Sequence, residues 1–131
     1  MEGFALNSGA IASTVAHDTH NLLVIGTDDE DMALAANHVV EMGGGISVVS
    51  SGNVIAELPL PIAGLMSDRE VKEVSKSIER IEEAWRSLRC KMVSPLMTMS
   101  LLTLTPIPEL RITDRGLFDS RKFRLVDLFV D

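Results

Sequence analysis

Tyrosine is missing from this chain, and aromatic residues make up only 4% of it, as four Phe and one Trp. A core must therefore be assembled from Val, Ile, Leu, Met and Ala, side chains that bring apolar area without the polar handle of a tyrosine ring. Cysteine occurs once, at Cys90. That excludes an internal disulfide framework and a multi-cysteine zinc site, and it suits a reducing compartment. Basic residues are the minority: 12 Lys and Arg against 19 Asp and Glu leave a net charge of −7. Such a surface argues against nucleic-acid binding, which needs cations to displace counterions from phosphates. No apolar run approaches the roughly 18–20 residues of a membrane span. The start Met1-Glu2-Gly3-Phe4 carries no basic n-region, so no signal peptide is expected. What remains is a chain of 131 residues, 46% apolar and 24% charged, long enough for one compact domain with a real core. The expectation is a soluble, cytoplasmic protein with neither a membrane nor a nucleic acid as partner.

Gly9 to Val15 is small and partly β-branched and reads as a first strand. The polar cluster His17-Asp18-Thr19-His20-Asn21 follows, and Leu22 to Gly26 then reads as a short buried strand. Thr27 and Glu30 have the spacing of a capping box. Behind them Met32, Ala35, Ala36, Val39 and Val40 lie on one face of a helix, which Gly43-Gly44-Gly45 ends. Ile46 to Ser50 and Val54 to Leu58 are β-branched runs around Ser51-Gly52-Asn53, a hairpin signal. Pro59 and Pro61 make Leu58 to Met66 a loop. Ser67 and Glu70 repeat the capping-box spacing, and Val71, Val74, Ile78, Ile81, Trp85 and Leu88 recur at steps of three and four. This predicts a helix from about Asp68 to Arg89 that packs on a sheet. Ser94 to Thr105, with Met97 and Met99, fits neither helix nor strand by periodicity. Leu110 to Thr113 alternates like a strand, Asp114-Arg115-Gly116 reads as a turn, and Arg124 to Val130 alternates again. The expected class is α/β or α+β, a single compact domain with a mixed sheet covered by about two main helices.

The densest set of functional groups is His17, Asp18 and His20 with Asn21. All could ligate a metal or move protons near neutral pH. In an extended chain Asp18 and His20 share a face and His17 points away, so a single metal would require the segment to bend. The other reading is a polar loop whose side chains bond the backbone. His38 sits beside Val39 and is expected to cover its helix edge. The acids Asp28, Asp29, Glu30 and Asp31 suit a helix N-terminus but would repel an anion there. Cys90 follows Arg86 and Arg89 but has no His near it in sequence. A G-x-S-x-G elbow is absent, and one cysteine cannot supply the P-C-x-x-C of the zinc nucleobase deaminases. The Met-rich stretch suits adaptable packing or an interface.

The run Gly9-Ala10-Ile11-Ala12-Ser13-Thr14-Val15-Ala16-His17-Asp18-Thr19-His20-Asn21 resembles the opening of the C-terminal domain of microbial adenine deaminases, where Ser usually replaces Thr19. Four further stretches are similar and fall in the same order. They are Gly26-Thr27-Asp28-Asp29-Glu30-Asp31-Met32, Gly43-Gly44-Gly45, Leu58-Pro59-Leu60-Pro61-Ile62-Ala63-Gly64-Leu65-Met66-Ser67 and Leu110-Arg111-Ile112-Thr113-Asp114-Arg115-Gly116-Leu117. The resemblance covers nearly the whole chain.

This resemblance implies a hydrolase of the amidohydrolase superfamily that converts adenine and water to hypoxanthine and ammonia. A metal-activated hydroxide would attack the carbon that bears the amine. It implies a metal-binding TIM barrel, holding manganese or iron, as partner domain. The superfamily's His-x-His motif is absent here, the chain has three histidines, and a barrel needs about 250 residues. Residues 1–131 are thus expected to be the C-terminal domain alone, without metal and inactive by itself. In the full enzyme His17, Asp18 and His20 would support catalysis, and His17, His20 and Asn21 would contact adenine. Competing readings are a scaffold or homo-oligomerisation module using the Met-rich and Pro59 to Met66 surfaces, and an autonomous metal-dependent hydrolase built on His17, Asp18 and His20.

Overall fold

The computed structural model describes residues 4–129. Strands β1 (Ala10–Ser13), β2 (Leu23–Gly26), β3 (Gly45–Ser50) and β4 (Asn53–Pro59) form one sheet in the order β2-β1-β3-β4. Helix α1 (Asp29–Glu41) connects β2 to β3, and α2 (Val71–Ser87) follows β4. A short α3 (Pro95–Ser100) precedes a second sheet of β5 (Leu110–Thr113), β6 (Gly116–Asp119) and β7 (Arg124–Val126). The class is as expected, in its α+β form. Every pairing among the described strands is antiparallel, so the sheet is not mixed. Short connections explain this: β1 to β2 and β3 to β4 return directly, and only parallel neighbours need a long crossover.

Alternation along the strands sorts the core into two layers. Ile11, Ile46, Val48, Ala56 and Leu58 face α2, where Ile81, Ala84, Trp85 and Leu88 close over them with Met99 of α3. Ala10, Ala12 and Val49 face α1, packing on Ala35 and Val39. The alanines let α1 lie close to the sheet; a Cβ on Gly26 would sit 2.4 Å from Met32 Cγ. Ile81, Trp85 and Met99 are essentially without solvent contact, and such side chains each contribute about 1.5–3 kcal/mol by burial.

Neither expected capping box forms. Asp28 caps α1, its carboxylate accepting the Asp31 N–H at 2.8 Å. Thr27 instead donates its hydroxyl to the Gly9 carbonyl at 3.3 Å. A carboxylate is the stronger acceptor for helix-start amides, so the helix begins one residue later. Ser67 accepts from Arg69 N at 3.1 Å in a turn of its own. Helix α2 therefore starts at Val71 behind Glu70, with no side-chain cap. It is shorter than the stripe predicts, and Val71, 85% exposed, lies outside the core.

The glycine run ends α1 as expected, with Gly43 N and Gly44 N donating to the carbonyls of Val40 and Val39. The β3–β4 hairpin turns on Ser51 and Gly52, both at positive φ. Asp31, buried at the helix start, locks that turn by accepting Ser51 N at 2.9 Å and Gly52 N at 2.7 Å. The Met-rich stretch is the short helix α3, with Pro at its first turn. Strand β6 is not anticipated by the sequence pattern, and β7 is narrower than Arg124 to Val130, Val130 lying outside the described residues. No described helix is long and apolar enough to cross a membrane.

Candidate functional site

Beyond Ser13 the chain leaves the sheet and bends instead of remaining extended. Residues 17–19 form a turn, closed where His20 N donates to the Ala16 carbonyl at 2.6 Å. Ala16 N in turn donates to His20 Nδ1 at 3.3 Å. The two imidazoles meet edge to face, with ring centroids 5.4 Å apart and planes inclined by 73°. The expectation that His17 points away from His20 is therefore overturned, because the turn replaces strand alternation.

Partners remote in sequence hold this turn. His17 N donates to the Ser100 carbonyl at 2.8 Å, and the Thr103 hydroxyl donates to the His17 carbonyl. Helix α3 and its exit thus grip the backbone of His17 from both sides. Just upstream, the Thr14 hydroxyl donates to Gly64 O at 2.6 Å and accepts from Gly45 N at 2.9 Å. That one hydroxyl joins the end of β1, the start of β3 and the loop after β4.

His17 and His20 are half-buried, whereas Asp18, Thr19 and Asn21 are exposed. Three hollows meet this short segment. His17 borders an apolar one of about 320 Å³ between the sheet, α2 and α3, walled by Val15, Leu58, Ile78 and Leu96. His20 borders one of about 280 Å³ with Thr14, Gly43, Gly44 and Gly64. Thr19 and Asn21 border a third, of about 290 Å³, with Thr103, Ile112 and Asp114. The glycine walls are there by necessity: a Cβ on Gly44 would lie 2.5 Å from Gly64 Cα.

A neutral His20 that accepts at Nδ1 carries its proton on Nε2. The tautomer follows from the hydrogen-bond network, and it leaves His20 with an N–H donor to offer a ligand. Asp18 has no hydrogen bond or ion pair among the described residues, so its carboxylate is free to accept. Asn21 adds a carboxamide that can donate and accept. Among the described residues no three His, Cys, Asp or Glu side chains converge as a metal site. His17, Asp18 and His20 therefore do not form the three-ligand set that an autonomous metal-dependent hydrolase would require.

The other sequence candidates are structural. His38 lies on the helix edge as expected, and it pairs with Glu57 at 2.6 Å, joining α1 to β4. Cys90 is buried beside α2, its N–H donating to Trp85 O at 3.1 Å. Asp28 and Asp31 bond backbone amides, so the acidic helix start is a device of the fold. Sequence reading missed Thr14, Ser100 and Thr103 as supports of the turn, since each acts across a long stretch of chain.

A family model described as the adenine deaminase C-terminal domain matches residues 1–124. An adenine deaminase of Moorella thermoacetica is 56% identical over 128 residues, which is 98% of this chain and 22% of that protein. The adenine deaminase of Clostridium botulinum (strain ATCC 19397 / Type A) is 54% identical over all 131 residues, again 22% of its own length. That of Archaeoglobus fulgidus is 48% identical over 131 residues, 23% of its length. The chain thus spans about a fifth of the curated relatives it matches. By sequence along almost its full extent, it belongs to the adenine deaminase C-terminal domain family.

Proposed function

We propose that residues 1–131 form the C-terminal domain of an adenine deaminase and that the His17–Asn21 turn faces the adenine site of that enzyme. The reaction adds water across the purine carbon bearing the amine, forms hypoxanthine, and releases ammonia. A barrel elsewhere in the polypeptide supplies the reactive water in this reading. The described residues do not fit a manganese or iron centre, because no three ligating side chains converge among them. The domain's part is recognition and positioning. His17, His20, through its Nε2–H, and Asn21 are the groups offered to adenine, and Asp18 stands beside the two imidazoles as a supporting carboxylate. His17, whose backbone is gripped by α3 and its exit, keeps the turn in place and offers its ring to the base.

The observation that carries this reading is the turn itself. Two imidazoles in edge contact, an unpaired carboxylate and a carboxamide sit on a segment braced from three directions, which a plain solvent loop would not require. An uncharged base also suits the acidic character of the chain, which would repel an anion. Substituting His17→Asn and His20→Asn in the full-length enzyme tests it. Each should lower kcat/KM for adenine by about 10-fold or more, the loss of one substrate hydrogen bond being about 1.4 kcal/mol. The thermal midpoint should move by only a few degrees. Unchanged kinetics in both variants would leave the domain as a scaffold, a reading that the exposed Ile62, Met66 and Met97 already favour.

A further inference from the structure

No described residue after Thr103 is buried, yet residues 110–126 form a regular three-stranded sheet. Its strands pack closely only on one another. The registers Leu110–Asp119–Arg124 and Ile112–Leu117–Val126 place Leu110, Ile112, Leu117 and Val126 on one face. Arg111, Phe118 and Leu125 occupy the other, where Phe123 meets Phe118 edge-on at 5.3 Å. Leu110 is 50% exposed, Leu125 51%, Phe123 77%, Leu128 72% and Phe129 86%. The tie to the rest of the domain is a set of hydrogen bonds to residues 102–109. Ile112 N donates to Leu102 O, Ser120 N to Glu109 O, and the Ser120 hydroxyl to Thr105 O and Ile107 O.

A small sheet of this kind, with apolar side chains on both faces beside Arg111, Asp119 and Arg124 and none of them buried, gains little from its own packing. We propose that the β5–β7 sheet is the surface by which this domain seats on the remainder of the adenine deaminase polypeptide. The proposal rests on the functional reading above and adds the location of the contact. The relatives carry about four-fifths of their length outside the matched segment, so on that reading the same polypeptide can supply the covering surface. A two-fold contact between copies would cover one face and leave the other wet. A stable dimer also needs about 800 Å² from each partner, whereas one face of a three-stranded sheet about four residues long spans only about 200 Å². A tethered neighbour, at millimolar effective concentration, holds a smaller patch. Beside Leu125 and Val126 a hollow of about 530 Å³, rimmed by Arg115, Arg124 and Asp127, offers a socket with a polar edge.

Hydrogen–deuterium exchange on the 131-residue chain and on the full-length enzyme tests this without any variant. Amides of residues 110–126 should exchange at least 100-fold more slowly in the full-length enzyme, and the 131-residue chain should be monomeric by light scattering. In the full-length protein, Leu125→Asp should return this segment to fast exchange while β1 and β3 remain protected. Equal exchange in the two proteins would overturn the proposal. So would protection in the 131-residue chain that grows with concentration, which would identify a second copy as the occupant. The readout is independent of turnover. A protected sheet in an enzyme that does not deaminate adenine sinks the activity alone; an active enzyme with an unprotected sheet sinks the docking alone.

Discussion

Replacing Thr14 by Val should remove one hydroxyl, leave the side-chain volume nearly unchanged, and destabilise the domain well beyond a typical surface change. The Thr14 hydroxyl accepts from Gly45 N at 2.9 Å and donates to Gly64 O at 2.6 Å. Both glycines are buried, so in the variant an amide and a carbonyl lose their partner with no water to replace it. Each orphaned buried group costs about 1–3 kcal/mol. Because valine fills the same space, no cavity contribution is added. The loss should be about 2–6 kcal/mol, which for a domain of this size lowers the thermal midpoint by roughly 6–24 °C. Thr14→Ser keeps the hydroxyl and loses a methyl, at about 0.8 kcal/mol. Urea and thermal unfolding of the three proteins, followed by far-ultraviolet circular dichroism, measure the difference directly. If the Val and Ser variants agree within about 0.5 kcal/mol, the idea that this hydroxyl fastens three segments beside the histidine turn is wrong.

Gly44→Ala should be severely destabilising, since its Cβ would meet Gly64 Cα at 2.5 Å and the residue sits at φ +116°. Gly43→Ala, in open space at φ +75°, should cost only the backbone strain of about 1–2 kcal/mol. Parity between the two in unfolding experiments would contradict the close approach of the glycine walls. The Asp119 carboxyl is held below its ordinary value, first by the Lys122 amide and also by that of Arg121. Because the folded value is depressed, its stabilising contribution is present above the ordinary aspartate range and fades as pH falls through the folded value. The Arg121 and Lys122 amide resonances should accordingly shift with a midpoint below 3.8, the ordinary aspartate value. A midpoint at or above it would dismiss the carboxylate as the clasp of the β6–β7 loop.

Periodicity located the elements of the first sheet and its two long helices because their signals are local. A stripe at steps of three and four, or a β-branched run bounded by glycine, reports its own conformation. The glycine stop after α1 and the hairpin at Ser51-Gly52 were legible for the same reason: positive φ is a property of single residues. The helix starts were misread where two neighbouring acceptors competed. Thr27 and Asp28 can both cap, and only the proximity of Gly9 engaged the threonine elsewhere.

The sequence by itself determined a sheet covered by two main helices and the family, because patterning and motif order are written along the chain. It also presented His17, Asp18, His20 and Asn21 as the group to consider. The tertiary structure alone decided that this segment bends, that Ser100 and Thr103 hold it, and that its side chains border three separate hollows. It alone revealed Asp31 as the lock of a hairpin some twenty residues away and left the last sheet without a buried residue. Those features depend on hydrogen bonds and contacts between distant segments, and a polar side chain carries no local mark of the remote amide or carbonyl it will meet.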